Sequence, residues 1–239
     1  MTDIEKLQKM IDESRNIVFF GGAGVSTESC IKDFRSVDGL YNEKYDYPPE
    51  VMLSRSFFNE HQSKFFKFYK DKLNCLDVEP NVTHLYLKKL EDKGKLRAIV
   101  TQNIDGLHEK AGNKNIYLLH GTIYKNHCMM CDKEYSAEYV FNSKDVIPRC
   151  KCNGIIKPDV VLYEEGLDDN TVSGAIDAIS NADMLIIGGT SLVVYPAASF
   201  IRYFRGKYLV IINMDSTSYD KNANLVIFDK LGNVFRNLK

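Results

Sequence analysis

The sequence predicts an α/β protein built on a mostly parallel sheet, with a smaller lobe inserted into it. Three observations carry this. Short apolar runs bounded by turn residues recur along the 239 residues, and most are continuous rather than alternating, as strands covered on both faces are. Helix-like stretches lie between them, and strand–helix alternation goes with a doubly wound, Rossmann-like sheet. Two regions, 38–80 and 121–157, interrupt the alternation and read as insertions.

In chain order, Glu5–Glu13 reads as a polar amphipathic helix and Ile17–Phe20 as the first strand. A glycine-rich loop, "GGAGVSTESCIKDFR", occupies 21–35. Residues 38–80 are rich in aromatic and charged side chains, with "YDYPPE" as a breaker and "NEHQSKFFKFYKDKL" as a helical stretch. Val82–Lys93 reads as a helix, and Ala98–Thr101 and Ile116–Leu119 as strands. After the interruption at 121–157 come a strand at Val160–Leu162 and a helix at Thr171–Ser180. Strands at Met184–Gly188, Tyr208–Asn213 and Leu225–Phe228, with a helix at Tyr195–Phe204, complete the pattern. Residues 1–37, 81–120 and 158–239 are therefore expected to form the main domain, and 38–80 and 121–157 the two parts of the small lobe.

A hydrophobic fraction of 44% with 26% charged residues is ordinary for a globular protein. The net charge of −1, from 31 basic and 32 acidic residues, gives no electrostatic footprint for nucleic acid or an anionic membrane. No apolar run approaches a membrane span, and "MTDIEKLQKMIDES" lacks the apolar stretch of a signal peptide. The expectation is a cytoplasmic monomer with no nucleic-acid or membrane partner.

Four of the six cysteines fall in a short interval as C-x₂-C-x₁₈-C-x-C: Cys128, Cys131, Cys150 and Cys152. In a reducing compartment such clustering points to metal more than to disulfides, and the pattern is that of a zinc ribbon with its last pair one residue tight. Four thiolates close the coordination sphere, so the Zn²⁺ would be structural and could not activate water. Cys30 and Cys75 stand apart: a small buried filler is the plain reading of Cys30, against a redox switch beside the loop, and Cys75 carries no signal.

The glycine loop by itself decides little. Gly22 and Gly24 fit G-x-G-x-x-G, but Thr27 stands at the third place. About 20 residues on, where an acidic ribose ligand belongs, the chain reads "YNEKYDYPP", which is no strand. A hydride-transferring dehydrogenase fits poorly, and a tight turn packed under the sheet remains the plain alternative. Asp33-Phe34-Arg35 then sets a carboxylate, an aromatic face and a guanidinium beside that loop; arginine can clamp a phosphate and a ring can shield a reactive carbon. "TQNIDGLH", 101–108, follows the strand "RAIV", so its side chains emerge at a strand's C-terminal end, where ligands bind in open α/β sheets. "NIYLLHG" ends in His120-Gly121, a place for a general base, although His84, His108 and His127 compete on pattern alone.

Taken together, "GAGVSTESCIKDFR", "TQNIDGLH", the "HG" at 120–121, the paired cysteines, "KPDVVLYEE", "GTSLVVYPAA" and "IINMD" occur in the order that the sirtuins show. The chain resembles that family, the NAD-dependent protein-lysine deacylases, over essentially its whole length, and its bacterial members most. The resemblance implies a Rossmann-like NAD domain whose small lobe contains a zinc ribbon and a helical insert. It implies that Gly22, Ala23, Thr27, Phe34 and Arg35 contact NAD from the first loop. Gln102 and Asn103 would lie against the nicotinamide ribose, and Ile104 and Asp105 would hold the carboxamide. Gly189, Thr190 and Ser191 would take phosphate and ribose contacts, Asn213 the adenosine ribose, and His120 would be the general base. Val161 and Tyr163 would line the acyl-lysine tunnel, while the backbones near Glu164 and Leu192–Val194 clasp the peptide as an added strand. Cys128, Cys131, Cys150 and Cys152 would hold the zinc, and acetylated proteins or peptides would be the substrates.

Three positions depart from the family pattern: Cys30 and Glu164 replace glycines, and Lys32 a proline. In members that prefer succinyl or malonyl lysine, a tyrosine and an arginine bind the acyl carboxylate; counting back from Pro80 puts those places on Phe66 and Tyr69, so neutral acyl groups are expected. Beside deacylation, the same NAD site leaves ADP-ribosyl transfer to a protein as a second reading, and an NAD-sensing binding module as a third.

Overall fold

The computed structural model describes residues 1–33, 39–40 and 45–239. The chain opens with α1 (Asp3–Glu13), started by a capping box in which Thr2 and Glu5 satisfy each other's backbone amides. The strands are β1 (Ile17–Gly21), β2 (Leu96–Thr101), β3 (Ile116–Leu118), β4 (Gly121–Cys128), β5 (Glu134–Ser136), β6 (Ile156–Val160), β7 (Met184–Gly188), β8 (Tyr208–Asn213) and β9 (Leu225–Phe228). The remaining helices are α2 (Pro49–Met52), α3 (Arg55–Glu60), α4 (Gln62–Lys72), α5 (Val82–Asp92), α6 (Leu107–Lys110), α7 (Ala137–Phe141), α8 (Asp169–Ser180) and α9 (Leu231–Arg236).

Six strands form one sheet in the order β3-β2-β1-β7-β8-β9, and every pairing in it is parallel. Its central strands are buried on both faces, which is why β1 and β7 read as unbroken apolar runs. Alternate residues feed two cores. Ile17 and Phe19 of β1 pack with α1, α5 and α9 on one face, and Val18 and Phe20 pack with α8 and the 3₁₀ segment Ala197–Tyr203 on the other. The strand order reverses between β1 and β7, and a crevice opens there beyond the strands' carboxyl ends.

The small lobe has its own core. Phe57, Phe58, Phe65, Phe66, Phe68 and Tyr69 from α3 and α4 meet Val140 and Phe141 of α7 and Ile123, Ile156 and Val160 of a three-stranded antiparallel sheet ordered β5-β4-β6. The structure corrects three expectations. Val160–Leu162 is no strand of the parallel sheet: Val160 ends β6, which pairs with β4 and crosses the expected boundary at 157/158. The helix expected within 59–73 is two helices, broken at His61, whose backbone leaves the helical region (φ −130°, ψ 44°). The stretch Tyr195–Phe204 folds as a tighter 3₁₀ helix over Ala197–Tyr203. No helix among the described residues is long and apolar enough to cross a membrane.

Candidate active site

Beyond the carboxyl ends of β1, β2 and β7 lies a cleft of about 710 Å³, bounded on its far side by the small lobe. The loop after β1 folds as two 3₁₀ turns, Ala23–Val25 and Thr27–Ser29, in place of the helix that follows a dinucleotide-binding strand. Its glycines are dictated by close approach. A Cβ on Gly22 would lie 2.7 Å from that of Thr190, and one on Gly24 2.8 Å from the Cα of Gly189. The N–H of Gly22 donates to Gly188 O (3.2 Å) and that of Gly24 to Gly189 O (2.8 Å), so the loops after β1 and β7 are pressed together. At the other end of this loop, Glu28 accepts from the N–H of Gly232 in α9 at 2.6 Å, where any larger residue would strike the carboxylate.

The "TQNIDGLH" segment is fixed from both sides. Gln102 donates its amide N–H to Gly21 O (3.1 Å) and its side-chain Nε2 to Thr190 Oγ1 (3.1 Å). The buried Ser26 hydroxyl joins Asn103 and Asp105: it accepts from Asn103 Nδ2 at 3.1 Å and donates to Asp105 Oδ2 at 2.6 Å. Asp105 Oδ1 accepts from the N–H of Leu107 at 2.9 Å. Burial pushes the Asp105 carboxyl above the usual carboxylate range, while the Ser26, Leu107 and Asn103 donors oppose that shift. Ile104 presents a partly buried side chain to the small-lobe core. Thr190 is locked by Asn213, which accepts from its N–H (3.0 Å) and donates to its C=O (2.9 Å).

His120 stands between β3 and β4, where the chain leaves the large sheet for the small one. Its Nδ1 lies 3.0 Å from Gln102 O. A carbonyl only accepts, so Nδ1 carries the hydrogen and the neutral ring keeps its lone pair on Nε2. Burial holds this imidazole below its ordinary value, against a smaller upward pull from the Gln102 carbonyl. The ring is thus a neutral base lining the cleft. The other histidines separate from it. His84 and His108 are buried against each other with ring centroids 4.8 Å apart, and His127 pairs with Asp159 on the small sheet.

Gly22, Ala23, Thr27, Gln102, Asn103, Ile104, Asp105, His120, Val161, Tyr163, Gly189, Thr190, Ser191 and Asn213 all line this one cleft. Phe34 and Arg35 lie outside the described residues. Phe66 and Tyr69 do not line it: both are fully buried in the small-lobe core, and the Tyr69 ring stacks on Phe141 with centroids 5.3 Å apart. Asp71, Lys72, Leu73, Asn74 and Cys75 face the cleft from this part of the chain. Sequence reading missed Ser26, whose role comes from tertiary contact rather than spacing. It also missed Cys75, whose thiol approaches Asp105 O at 3.6 Å and is pushed up to about 12 by burial.

In the small lobe the Sγ atoms of Cys128, Cys131, Cys150 and Cys152 all lie within 4.8 Å of one another. Three pairs, 128–152, 131–150 and 131–152, are 3.4, 3.5 and 3.5 Å apart. A disulfide needs about 2.05 Å, whereas four thiolates at about 2.3 Å from a tetrahedral Zn²⁺ lie roughly 3.8 Å from each other. The cluster fits the ion.

Comparison with known proteins agrees with this geometry. A sequence model of the Sir2 family matches residues 22–196. An "NAD-dependent protein deacetylase" of Clostridium acetobutylicum is 59% identical over 234 residues, covering 97% of this chain and 96% of its own. One of the same description from Staphylococcus epidermidis is 46% identical over 239 residues, covering 99% and 96%. The solved structure described as "Sir2-p53 peptide-NAD+" superimposes with a TM-score of 0.86 at 35% identity, over 99% of this chain and 96% of that one. "Sir2 bound to acetylated peptide" gives 0.86 at 34% identity, over 99% and 96%.

Proposed function

The chain belongs to the Sir2 family, the sirtuins, and from that premise we propose that it removes acetyl groups from protein lysines with NAD as co-substrate. NAD supplies ADP-ribose as the acceptor of the acyl group and releases nicotinamide. The observation that carries the reading is the neutral His120, its Nδ1 committed to Gln102 and its Nε2 left as a base in the cleft.

Each residue does one task in this reading. Gly22, Ala23 and Thr27 with Gly189, Thr190 and Ser191 hold the phosphates and the adenosine end, Asn213 fixing Thr190 for that purpose. Phe34 and Arg35 are assigned NAD contacts on the family resemblance. Gln102 and Asn103 lie against the nicotinamide ribose, and the carboxylate of Asp105, aimed by Ser26, accepts from the carboxamide beside Ile104. His120 takes a ribose hydroxyl proton at Nε2, freeing that oxygen to attack the activated acyl carbon. Val161 and Tyr163 flank the lysine stem. No hydrogen bond within the described chain uses the backbone N–H or C=O of Glu164 or Val193, so both loop edges are open to an extended peptide.

Zn²⁺ held by Cys128, Cys131, Cys150 and Cys152 would supply fold stability to the small lobe, taken as the insert 38–80 and the module 121–157 with β6 carried on to Val160. The near-zero net charge supports a protein without a nucleic-acid partner, and cysteines clustered as metal ligands go with a reducing cytoplasm; a monomer is the proposed working form. Measuring nicotinamide release with and without an acetylated peptide tests the proposal. Release that requires the acetyl group is expected. Release that ignores it, with ADP-ribose appearing on protein, would turn the assignment to ADP-ribosyl transfer.

A further inference from the structure

Glu164 occupies a backbone conformation that disfavours it. Its φ of +74° lies in the left-handed region, where a side chain is strained and glycine is not. The carboxylate offsets that strain locally. Oε2 accepts from the Ser56 N–H at 2.9 Å, and the Ser56 hydroxyl lies 2.7 and 2.6 Å from the two carboxylate oxygens. Two backbone bonds beside it, Tyr163 N–H to Leu53 O and Arg55 N–H to Tyr163 O, both 3.0 Å, fasten the same loop to the junction of α2 and α3. The result is an exposed carboxylate at the cleft mouth whose position is set, while the residue's own N–H and C=O stay open.

Among the described residues the charge at that place is uncompensated. Ser56 is neutral, and the adjacent Glu165 is already matched by Lys157 at 3.3 Å. Among the described residues no cation pairs with Glu164. An extended peptide bonded to this loop edge would bring its side chains within roughly 5–8 Å of those on the loop, the spacing of direct and diagonal cross-strand neighbours.

We propose that Glu164 is a specificity-determining residue: fixed by Ser56, it selects acetyl-lysine peptides that carry Lys or Arg next to the acetyl-lysine and disfavours those that carry Asp or Glu there. This rests on the deacetylase reading of the cleft. The interaction is solvent-exposed, so its size is that of a surface ion pair, about 2- to 5-fold per charge, shrinking as salt is added.

The test uses three acetylated peptides that differ only beside the acetyl-lysine, with Arg, Gln or Glu at that place. kcat/KM for each is measured with the full chain and with Glu164→Gln, which keeps an acceptor for Ser56, and Glu164→Gly, which removes the backbone strain. The parent should rank Arg over Gln over Glu, the difference lying in KM, and in both variants the ranking should flatten to near parity. A parent that does not discriminate, or variants that keep the parental ranking, overturns the assignment of Glu164 while leaving the deacetylase reading standing. No acetyl-dependent nicotinamide release from any of the three peptides overturns that reading and the inference with it.

Discussion

At the scale of single residues, the environment decides what each side chain can do. His120 is one of five histidines, and only its bond to the Gln102 carbonyl and its place in the cleft set it apart. His120→Ala should therefore lower acetyl-dependent nicotinamide release by at least ~10² with the thermal midpoint and far-UV circular dichroism little changed. Its pH profile should carry the same signature. Because burial lowers the imidazole below 6.5, the base is already deprotonated at neutral pH; kcat/KM should be flat there and fall only as pH drops below 6.5. The motif "TQNIDGLH" was legible because it follows a strand. Ser26, the hydroxyl that aims Asp105, was not, since nothing in "GVST" signals a partner 79 positions away. Cys30 is exposed rather than the buried filler expected, and like Glu164 it has a positive φ (+64°), so both departures from the family's glycines keep the glycine backbone.

At the scale of elements, α5 and α6 are joined by a buried histidine pair that works against acid. His84 is held neutral by burial, down to about 4, and His108 shifts the same way for the same reason. The unfolded chain binds protons there that the folded one refuses. The stability from His84 is therefore fully present above 6.5 and is lost as pH falls from 6.5 toward 4, roughly 3 kcal/mol in all. His84→Gln keeps an acceptor for the Asn81 amide, so its denaturation midpoint should fall less steeply across that window. In the small lobe, one Zn²⁺ per chain should be found by elemental analysis of protein purified without added metal. Stripping it should lower the melting temperature and activity together; a metal-free preparation with full stability would contradict the cysteine assignment. The strands of the large sheet could be read because both faces are covered. Those of the small sheet could not: β4 mixes buried Thr122 and Asn126 with exposed Lys125, β5 has no buried residue, and the apolar run Val160–Leu162 imitates a central strand.

At the scale of the whole molecule, the cleft lies between two bodies that the chain builds by crossing from one to the other repeatedly. The order of motifs revealed that plan, but not which face of α4 would meet the cleft. Burial of four aromatic residues turns Phe66 and Tyr69 into the core, and Lys72, which does line the cleft, is matched by Asp71 at 3.1 Å. A succinyl carboxylate entering between Val161 and Tyr163 would meet at Lys72 a cation that already has a carboxylate partner. Acetyl peptides should therefore exceed matched succinyl peptides in kcat/KM by at least about tenfold, and parity would show that the chain offers the acid a partner. The bond between Glu28 and Gly232 has a consequence in time. It joins the cofactor loop to a residue 204 positions later. At ribosomal speeds of about 5–20 residues per second, roughly 10–40 s separate the loop's emergence from that of its anchor. By the end of that interval the growing polypeptide carries every group proposed to contact NAD, yet until α9 is made it lacks the bond that fastens the first loop.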